Sequence, residues 1–482
     1  MIRASRPILF TILLLAGLAI PATALARVGD IFTVAGVGAE DQLLPGFSGD
    51  GGPATDARLN VPFDVAALPG GGYLIADTEN RRIRRVSRLG RISTVAGTGR
   101  AGSSGDGGPA RRASFQAPFA VALTPDGGFL VADEAASRIR RVSADGKITT
   151  VAGTGRRGFG GDGGPARRAR MRSPGYITAL TDGGFLFADS ENHRIRRVTA
   201  AGTITTVAGS GPVGAGRGGF AGDGGPALRA RLNTPAAADV TPGGALLIAD
   251  SFNHRIRRVS PSGRISTVAG SGPVGAEAGR FRGDGGRATR ARLATPTDVE
   301  PLAEGGFLVA DSGNARVRVV LPSGRIRTLA GASRIGPRTG DGRPATRASL
   351  IPLSIDFAGD GLLVSDPLLG RIRYVQLART RRLAVALVPK VTRGPRFAVD
   401  LVATVSAGAR IQILRGEKVV AGARGVIGRP FRFPTLRPGR YTIRVVARTR
   451  NGQIATARTR ITLTAARASA SASGTGSELV IR

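Results

Sequence analysis

The sequence predicts an all-β chain: a six-bladed β-propeller closed by an N-terminal strand, followed by a small β-sandwich. Three recurring phrases carry this reading. One, of the form F/Y-L-hydrophobic-A-D-S/T-x-N-x-R-I-R-R-V, places its aspartate at Asp77, Asp133, Asp189, Asp250, Asp311 and, in a degenerate copy, Asp366. A second, G-D-G-G-P-A, places Asp50, Asp106, Asp162, Asp223, Asp284 and Asp341, with the last two copies altered to GDGGRA and GDGRPA. The third, T-V-A-G, begins at Thr33, Thr94, Thr150, Thr206 and Thr267, with a variant at Thr328. Three markers in fixed order, 55 to 61 residues apart, are the signature of a repeat array.

Each unit reads as four short strands. In the second unit Pro118 to Leu123, Gly128 to Ala132, Arg138 to Ser143 and Ile148 to Ala152 are runs rich in apolar and β-branched residues. Turn chemistry parts them at Pro125-Asp126-Gly127-Gly128 and at Asp145-Gly146. Four antiparallel strands repeated radially are the blades of a propeller, a ring that protects most strand edges. Ile139 and Val142 alternate to opposite faces of one strand and are both apolar, as expected of a blade covered on both sides. The blade count follows from the two ends. Ile31 to Gly36 is a fourth-strand phrase with no three strands before it, and the last unit, Pro352 to Val375, has three strands and no T-V-A-G of its own. The first completes the last, giving six blades.

Composition agrees with short strands and many turns. Gly contributes 72 of 482 residues, aromatics 5%, and there is no Trp, so the core rests on Val, Ile, Leu and Ala. Residues 1–26 read as a secretory signal: Arg3 and Arg6, an apolar run from Ile8 to Ile20, then Ala24-Leu25-Ala26 before a cleavage point. That run is too short to span a bilayer and no later stretch is longer, which predicts a secreted protein without a membrane span. With no Cys, there is no disulfide framework, thiolate metal site or cysteine nucleophile.

Formal net charge is +36, and every basic residue except Lys147, Lys390 and Lys418 is arginine. The arginines recur at repeat positions rather than beside base-stacking aromatics, which argues against specific nucleic-acid binding. Their functional consequence would be attraction to anionic cell-envelope polymers.

The phrases between Pro235 and Val259, a Pro-led inner strand, an A-D stretch and then N-x-R-I, resemble the NHL-repeat propellers. The G-D-G-G-P-A connectors resemble those of bacterial NHL proteins and of the teneurin propellers. The resemblance covers about residues 28–377 and implies the propeller fold. It implies no single function, since the family ranges from protein and RNA binding to an amidating lyase. The propeller is assigned to 27–378. Residues 379–464 alternate as half-buried strands, as at Phe397, Val399 and Leu401, and suggest a small sandwich. The stretch Leu436 to Ile443 resembles immunoglobulin-like and fibronectin-like modules, with Tyr441 as a candidate tyrosine corner. Residues 465–482, rich in Ala, Ser and Gly, read as a disordered tail.

Catalytic signals are sparse. The only histidines, His193 and His254, occupy the same repeat position, which marks them as scaffold rather than zinc ligands. No nucleophile elbow or Ser/His/Asp set stands out, and no catalytic residue, metal or cofactor is assigned. Each G-D-G-G aspartate is expected to accept backbone N–H bonds across its own connector, and each A-D aspartate to pair with the following arginines.

Function should lie where the copies differ. Just after the inner-strand Pro the six copies read Phe63-Asp64, Phe119-Ala120, Gly175-Tyr176, Ala236-Ala237, Thr297-Asp298 and Leu353-Ser354. Phe63, Asp64, Phe119, Tyr176 and Asp298 are therefore the candidate ligand-binding residues at a channel mouth. The preferred expectation is a monomeric, non-catalytic binding protein whose partner is an extracellular protein or an anionic envelope polymer. The competing one is a propeller lyase or lactonase using Asp64 and Asp298 as acid or ligand.

Overall fold

The computed structural model describes residues 29–37, 46–275, 279–332 and 340–377 in full, together with the backbone of strands between 385 and 481. The expected signal segment lies outside the described residues. The chain divides into two compact units, Met1–Ala378 and Arg379–Arg482. The first contains six antiparallel sheets arranged as the blades of a β-propeller, five of them four-stranded with the strands in chain order. Blade 1 consists of Pro62–Ala67, Gly72–Asp77, Arg82–Ser87 and Ile92–Ala96, and blades 2 to 5 repeat this pattern from Pro118, Pro174, Pro235 and Pro296. In blade 6, Ile355–Ala358, Gly361–Asp366 and Arg371–Gln376 are joined by Asp30–Ala35, with Ile31 opposite Val375 and Thr33 opposite Arg373. The two-residue strand Arg343–Pro344 lies on the far side of Asp30–Ala35.

The local chemistry explains the strand lengths. Gly146 takes φ 83°, a conformation open to glycine, and its N–H donates to Ser143 O at 2.8 Å, turning the chain between the third and fourth strands of blade 2. Every full inner strand carries a bulge just after its Pro, as between Pro62 and Asp64. The bulge re-aims the residues that follow. Both blade faces are covered: Ile139 packs into the core shared with blade 3 and Val142 into the core shared with blade 1. The alanine before each A-D aspartate, such as Ala132 or Ala249, is fully buried. A larger side chain there would hold neighbouring blades apart.

The largest fully buried side chains include one arginine from each blade: Arg84, Arg140, Arg196, Arg257, Arg318 and Arg373. Each is the second arginine of R-x-R, and each is paired. In blade 3, Arg196 Nη2 donates to Asp162 of the connector at 2.6 Å and Nη1 to Asp189 of A-D at 3.2 Å. The same two nitrogens also donate to the carbonyls of Arg170 and Gly160, while the buried Nε has no hydrogen-bond partner among the described residues. The other oxygen of Asp162 accepts the amide of Thr206, the T-V-A-G threonine, at 3.0 Å. The same connector-aspartate bond to the threonine amide recurs at Thr33, Thr94, Thr150, Thr267 and Thr328. The connector aspartates thus accept from the outer strand and third strand of the following blade, not across their own connector. The reason is that the connector runs along the outer strand: Gly51 N–H donates to Ile92 O, and Ile92 N–H to Gly52 O. It covers the edge that would otherwise present unpaired N–H groups.

The A-D aspartates take the inner end of this lock. Asp77 accepts the Asn60 amide at 2.8 Å, the Asn80 side chain and Arg84 Nη1 at 3.1 Å. Blade 2 departs from the pattern. Ala136 stands where blades 1, 3, 4 and 5 have Asn, and Asp133 binds the amides of Gln116 and Ala117, while Arg140 is ion-paired to Asp106 alone.

The second unit contains a three-stranded and a five-stranded antiparallel sheet. How their faces pack, and the candidate tyrosine corner at Tyr441, lie outside the described residues. Within the segment read as a disordered tail, Val480–Ile481 pairs with Thr456 and Ala455. Among the described residues no helix is long and apolar enough to cross a membrane.

Removing one partner of a buried ion pair leaves a charge without compensation. Arg257→Met is expected to lower the unfolding free energy by roughly 3–5 kcal/mol. The adjacent exposed Arg258→Met should change it by no more than about 0.5 kcal/mol, with chemical denaturation as the measurement.

Candidate functional site

The inner strands surround a channel, and alternation along each strand decides what faces it. Residues two and four places after the Pro line a cavity of about 270 Å³. It extends from Tyr176 toward the ends of the inner strands at Ala67, Leu123 and Ala179. Five carboxylates face it: Asp64 and Asp298 at the first position, Asp239, Glu300 and Asp356 at the second. They come from blades 1, 4, 5 and 6, while blades 2 and 3 contribute Ala122, Tyr176 and Thr178.

The structure separates the five residues expected at one channel mouth. Asp64, Tyr176 and Asp298 line the cavity, whereas Phe63 and Phe119 do not. Phe63 stacks on Phe119 with centroids 4.8 Å apart, and Phe119 meets the Tyr176 ring edge-on at 5.2 Å. The bulge puts the residue directly after the Pro out of register with the cavity-facing positions, so the two phenylalanines form a ledge beside the cavity. Tyr176 Oη donates to Phe63 O at 3.3 Å and ties the ledge across three blades.

The two predicted carboxylates are held by backbone. Asp64 accepts the amides of Val65 at 2.8 Å and Val121 at 2.7 Å, and the Ser354 hydroxyl at 2.5 Å. Asp298 accepts the amides of Val299 at 2.8 Å and Ile355 at 2.9 Å. Each therefore staples its own inner strand to that of the next blade. Asp356 does the same for blade 1 through the Ala67 amide at 2.6 Å. Sequence reasoning missed Asp356 and the two less engaged carboxyl groups, Asp239 and Glu300. Asp239 accepts the amide of its own neighbour, Val240. Among the described residues no hydrogen bond or ion pair engages the Glu300 side chain. The signal was available: Glu300 lies two residues beyond Asp298, on the same face of the strand.

Electrostatics follow from burial without countercharge. Burial pushes the Asp64 carboxyl up to about 7, against the pull of its donors. Burial and the neighbouring Asp239, Asp356 and Asp298 raise Glu300 to about 10, and burial raises Asp239 and Asp356 to about 6. Asp298 also rises well above the ordinary range. No group of three or more His, Cys, Asp or Glu side chains among the described residues could hold a metal ion.

His193 and His254 lie elsewhere, as staples between blades. Nδ1 of His193 accepts the Thr234 amide at 3.1 Å, and Nε2 faces Gly214 O at 2.8 Å. His254 repeats this with Thr295 and Gly275. Burial lowers both pKa values, in keeping with a neutral ring that accepts on one side and donates on the other.

A carboxyl whose folded pKa is raised contributes stability that is fully present below its unfolded pKa and lost as pH rises through the folded one. Glu300→Gln is therefore expected to match the parent in thermal midpoint near pH 4 and to exceed it increasingly toward pH 8. A constant difference across that range would contradict the buried, unpaired setting of Glu300.

No protein-family model matches the chain. Teneurin-m of Drosophila melanogaster is 30% identical over 301 residues, covering 58% of this chain and 10% of its own length. Teneurin-4 of Homo sapiens is 39% identical over 103 residues, 20% of this chain and 4% of its own length. The chain thus spans a tenth or less of these curated relatives. Among solved structures, an auxiliary nutrient binding protein from Bacteroides thetaiotaomicron matches with a TM-score of 0.51 and 15% identity, over 71% of this chain and 75% of that one. Virginiamycin B lyase from Staphylococcus aureus matches more loosely, with a TM-score of 0.41 and 17% identity over 65% of this chain and 80% of that one. With six blades in the structure, three repeated phrases in the sequence and teneurins matching in part, the chain is a six-bladed β-propeller whose repeats are similar to those of NHL-repeat proteins.

Proposed function

We propose that this chain is an extracellular, non-catalytic binding protein whose propeller channel receives a basic side chain of a protein partner. The observation that carries this is Glu300: a carboxyl group with no hydrogen-bond or ion-pair partner among the described residues, facing a cavity with four other acids, inside a chain of net charge +36. The exterior repels cations and the cavity attracts them, so in the channel a basic group would gain both charge and hydrogen-bond partners. The positions lining it differ from blade to blade while the lock around each buried arginine repeats, which is how recognition is grafted on a scaffold. The expected signal segment, the teneurin relatives and the nutrient-binding neighbour support the extracellular reading. In this proposal Asp30–Ala35 serves as the clasp of the ring, and the second unit is an immunoglobulin-like spacer.

A lyase or lactonase using Asp64 and Asp298 would need their oxygens free to bind an ion or exchange protons. In the structure both carboxylates are engaged by backbone amides, which favours binding over catalysis.

The test is calorimetric titration with a blocked Gly-Lys-Gly peptide. Binding should be tighter at pH 8 than at pH 5, because Asp239, Asp356 and Asp64, raised to about 6, 6 and 7, ionise across that range and attract the ammonium. Asp239→Asn combined with Glu300→Gln should weaken it about tenfold or more. Equal affinity for Gly-Met-Gly, or no effect of the double substitution, would sink the proposal.

A further inference from the structure

The buried arginines are neutralised within their own blades, so the excess positive charge must lie elsewhere, and the connectors carry much of it. The stretch 153–173, which links blades 2 and 3, is the most basic. Its Arg156, Arg157, Arg167, Arg168 and Arg170 are all exposed. The ion pairs this stretch makes are Arg172 with Glu191 and Asp162 with the buried Arg196, so its one carboxylate is already engaged. Bridges between Arg157 and Met171 and between Gly160 and Arg170 fold the stretch back on itself and bring Arg156, Arg157 and Arg170 together.

Beside it, between the two blades, lies a hollow of about 630 Å³. Arg167 lines it together with Thr199, over Leu130 and Phe185, and in the same wall Asp126 is ion-paired with Arg141 and accepts from the Thr124 hydroxyl, which leaves Arg167 as the cation offered to a ligand. A hydroxyl and a guanidinium above an apolar floor suit a sugar ring carrying an acidic group. A nucleic acid would want open aromatic faces for its bases. The phenylalanine of this stretch, Phe159, instead has its ring against Arg194, 4.2 Å from the centroid, and Arg196.

We propose that the outer wall between blades 2 and 3 binds an acidic polysaccharide, with its carboxylates held by the arginines of 153–173 and one sugar ring seated in the hollow. Guanidinium suits this task because it meets a carboxylate in a planar, two-pronged contact. The surface is separate from the channel, so it stands or falls independently of the reading proposed there.

The experiment is affinity electrophoresis of the full chain against polygalacturonate, with dextran and single-stranded oligothymidylate as comparisons at matched ionic strength. Replacing Arg156, Arg157, Arg167, Arg168 and Arg170 by Gln should weaken polygalacturonate binding about tenfold or more, given the strong charge dependence of polyanion binding. Removing the same charge through Arg229, Arg280, Arg282, Arg287 and Arg290→Gln should change it less than about twofold. The channel pair Asp239→Asn with Glu300→Gln should leave it unchanged. In the unmodified protein, polygalacturonate should shield Arg167 and Arg168 from phenylglyoxal and leave Arg229 and Arg290 reactive, which tests the site even where the fivefold variant folds poorly. Equal loss from the two fivefold sets, equal shielding of the two regions, or oligothymidylate bound as tightly as polygalacturonate would overturn the proposal.

Discussion

The structure depends on an arginine buried in each blade and ion-paired to two aspartates in every blade but the second. A guanidinium taken out of water is costly unless its charge is paired and its terminal nitrogens have acceptors. Here they are supplied by parts of the chain far apart in sequence. Arg196 meets Asp162 from the connector, Asp189 from the second strand and two connector carbonyls. Asp162 in turn holds the outer-strand amide of Thr206. The three phrases that recur through the sequence are thus three sides of one interaction. This is why they recur together and in order: changing any one strands the charge of another.

The lock also settles how each blade deals with its outer edge. The connector, pinned by its aspartate, lies along the fourth strand and occupies hydrogen-bonding groups that would otherwise face solvent. Its length and glycine content serve that path. Because the connector passes over the outer wall, it also decides which charges are displayed there. Its aspartate is drawn to the buried arginine and its own arginines stay exposed, so the wall is basic although the blades are internally neutralised. The channel is the reverse, acidic and without a cation. The contrast between the two surfaces is the basis of the two partners proposed above.

Much of the scaffold was legible in the sequence because repetition exposes it. Six copies of an aspartate followed 32 to 34 residues later by an arginine need no alignment to be seen, although which arginine of R-I-R-R is buried could be read only from the pleat. The channel was legible in part. Asp64, Tyr176 and Asp298 lie where inner-strand alternation puts them, but the bulge after each Pro moves Phe63 and Phe119 out of the cavity. A bulge adds a residue without any mark in composition, so counting from the Pro fails by one at that point and succeeds afterwards. Glu300 and Asp239 were missed for a different reason: they lie two residues deeper, past the positions where the search stopped. What the carboxylates accept depends on neighbouring blades, and contacts between residues nearly sixty apart do not announce themselves in a single chain.

The most direct test of the lock is hydrogen exchange at the threonine amides that donate to the connector aspartates, Thr94, Thr150, Thr206, Thr267 and Thr328. These sit on the outer strand of each blade, where an uncovered edge would exchange at rates near those of free loops. The account predicts protection comparable to the central strands in all five. In an Arg196→Met variant it predicts loss of protection at Thr206 before the others. Fast exchange at these amides in the parent protein, or an Arg196→Met variant that leaves Thr206 as protected as before, would contradict it.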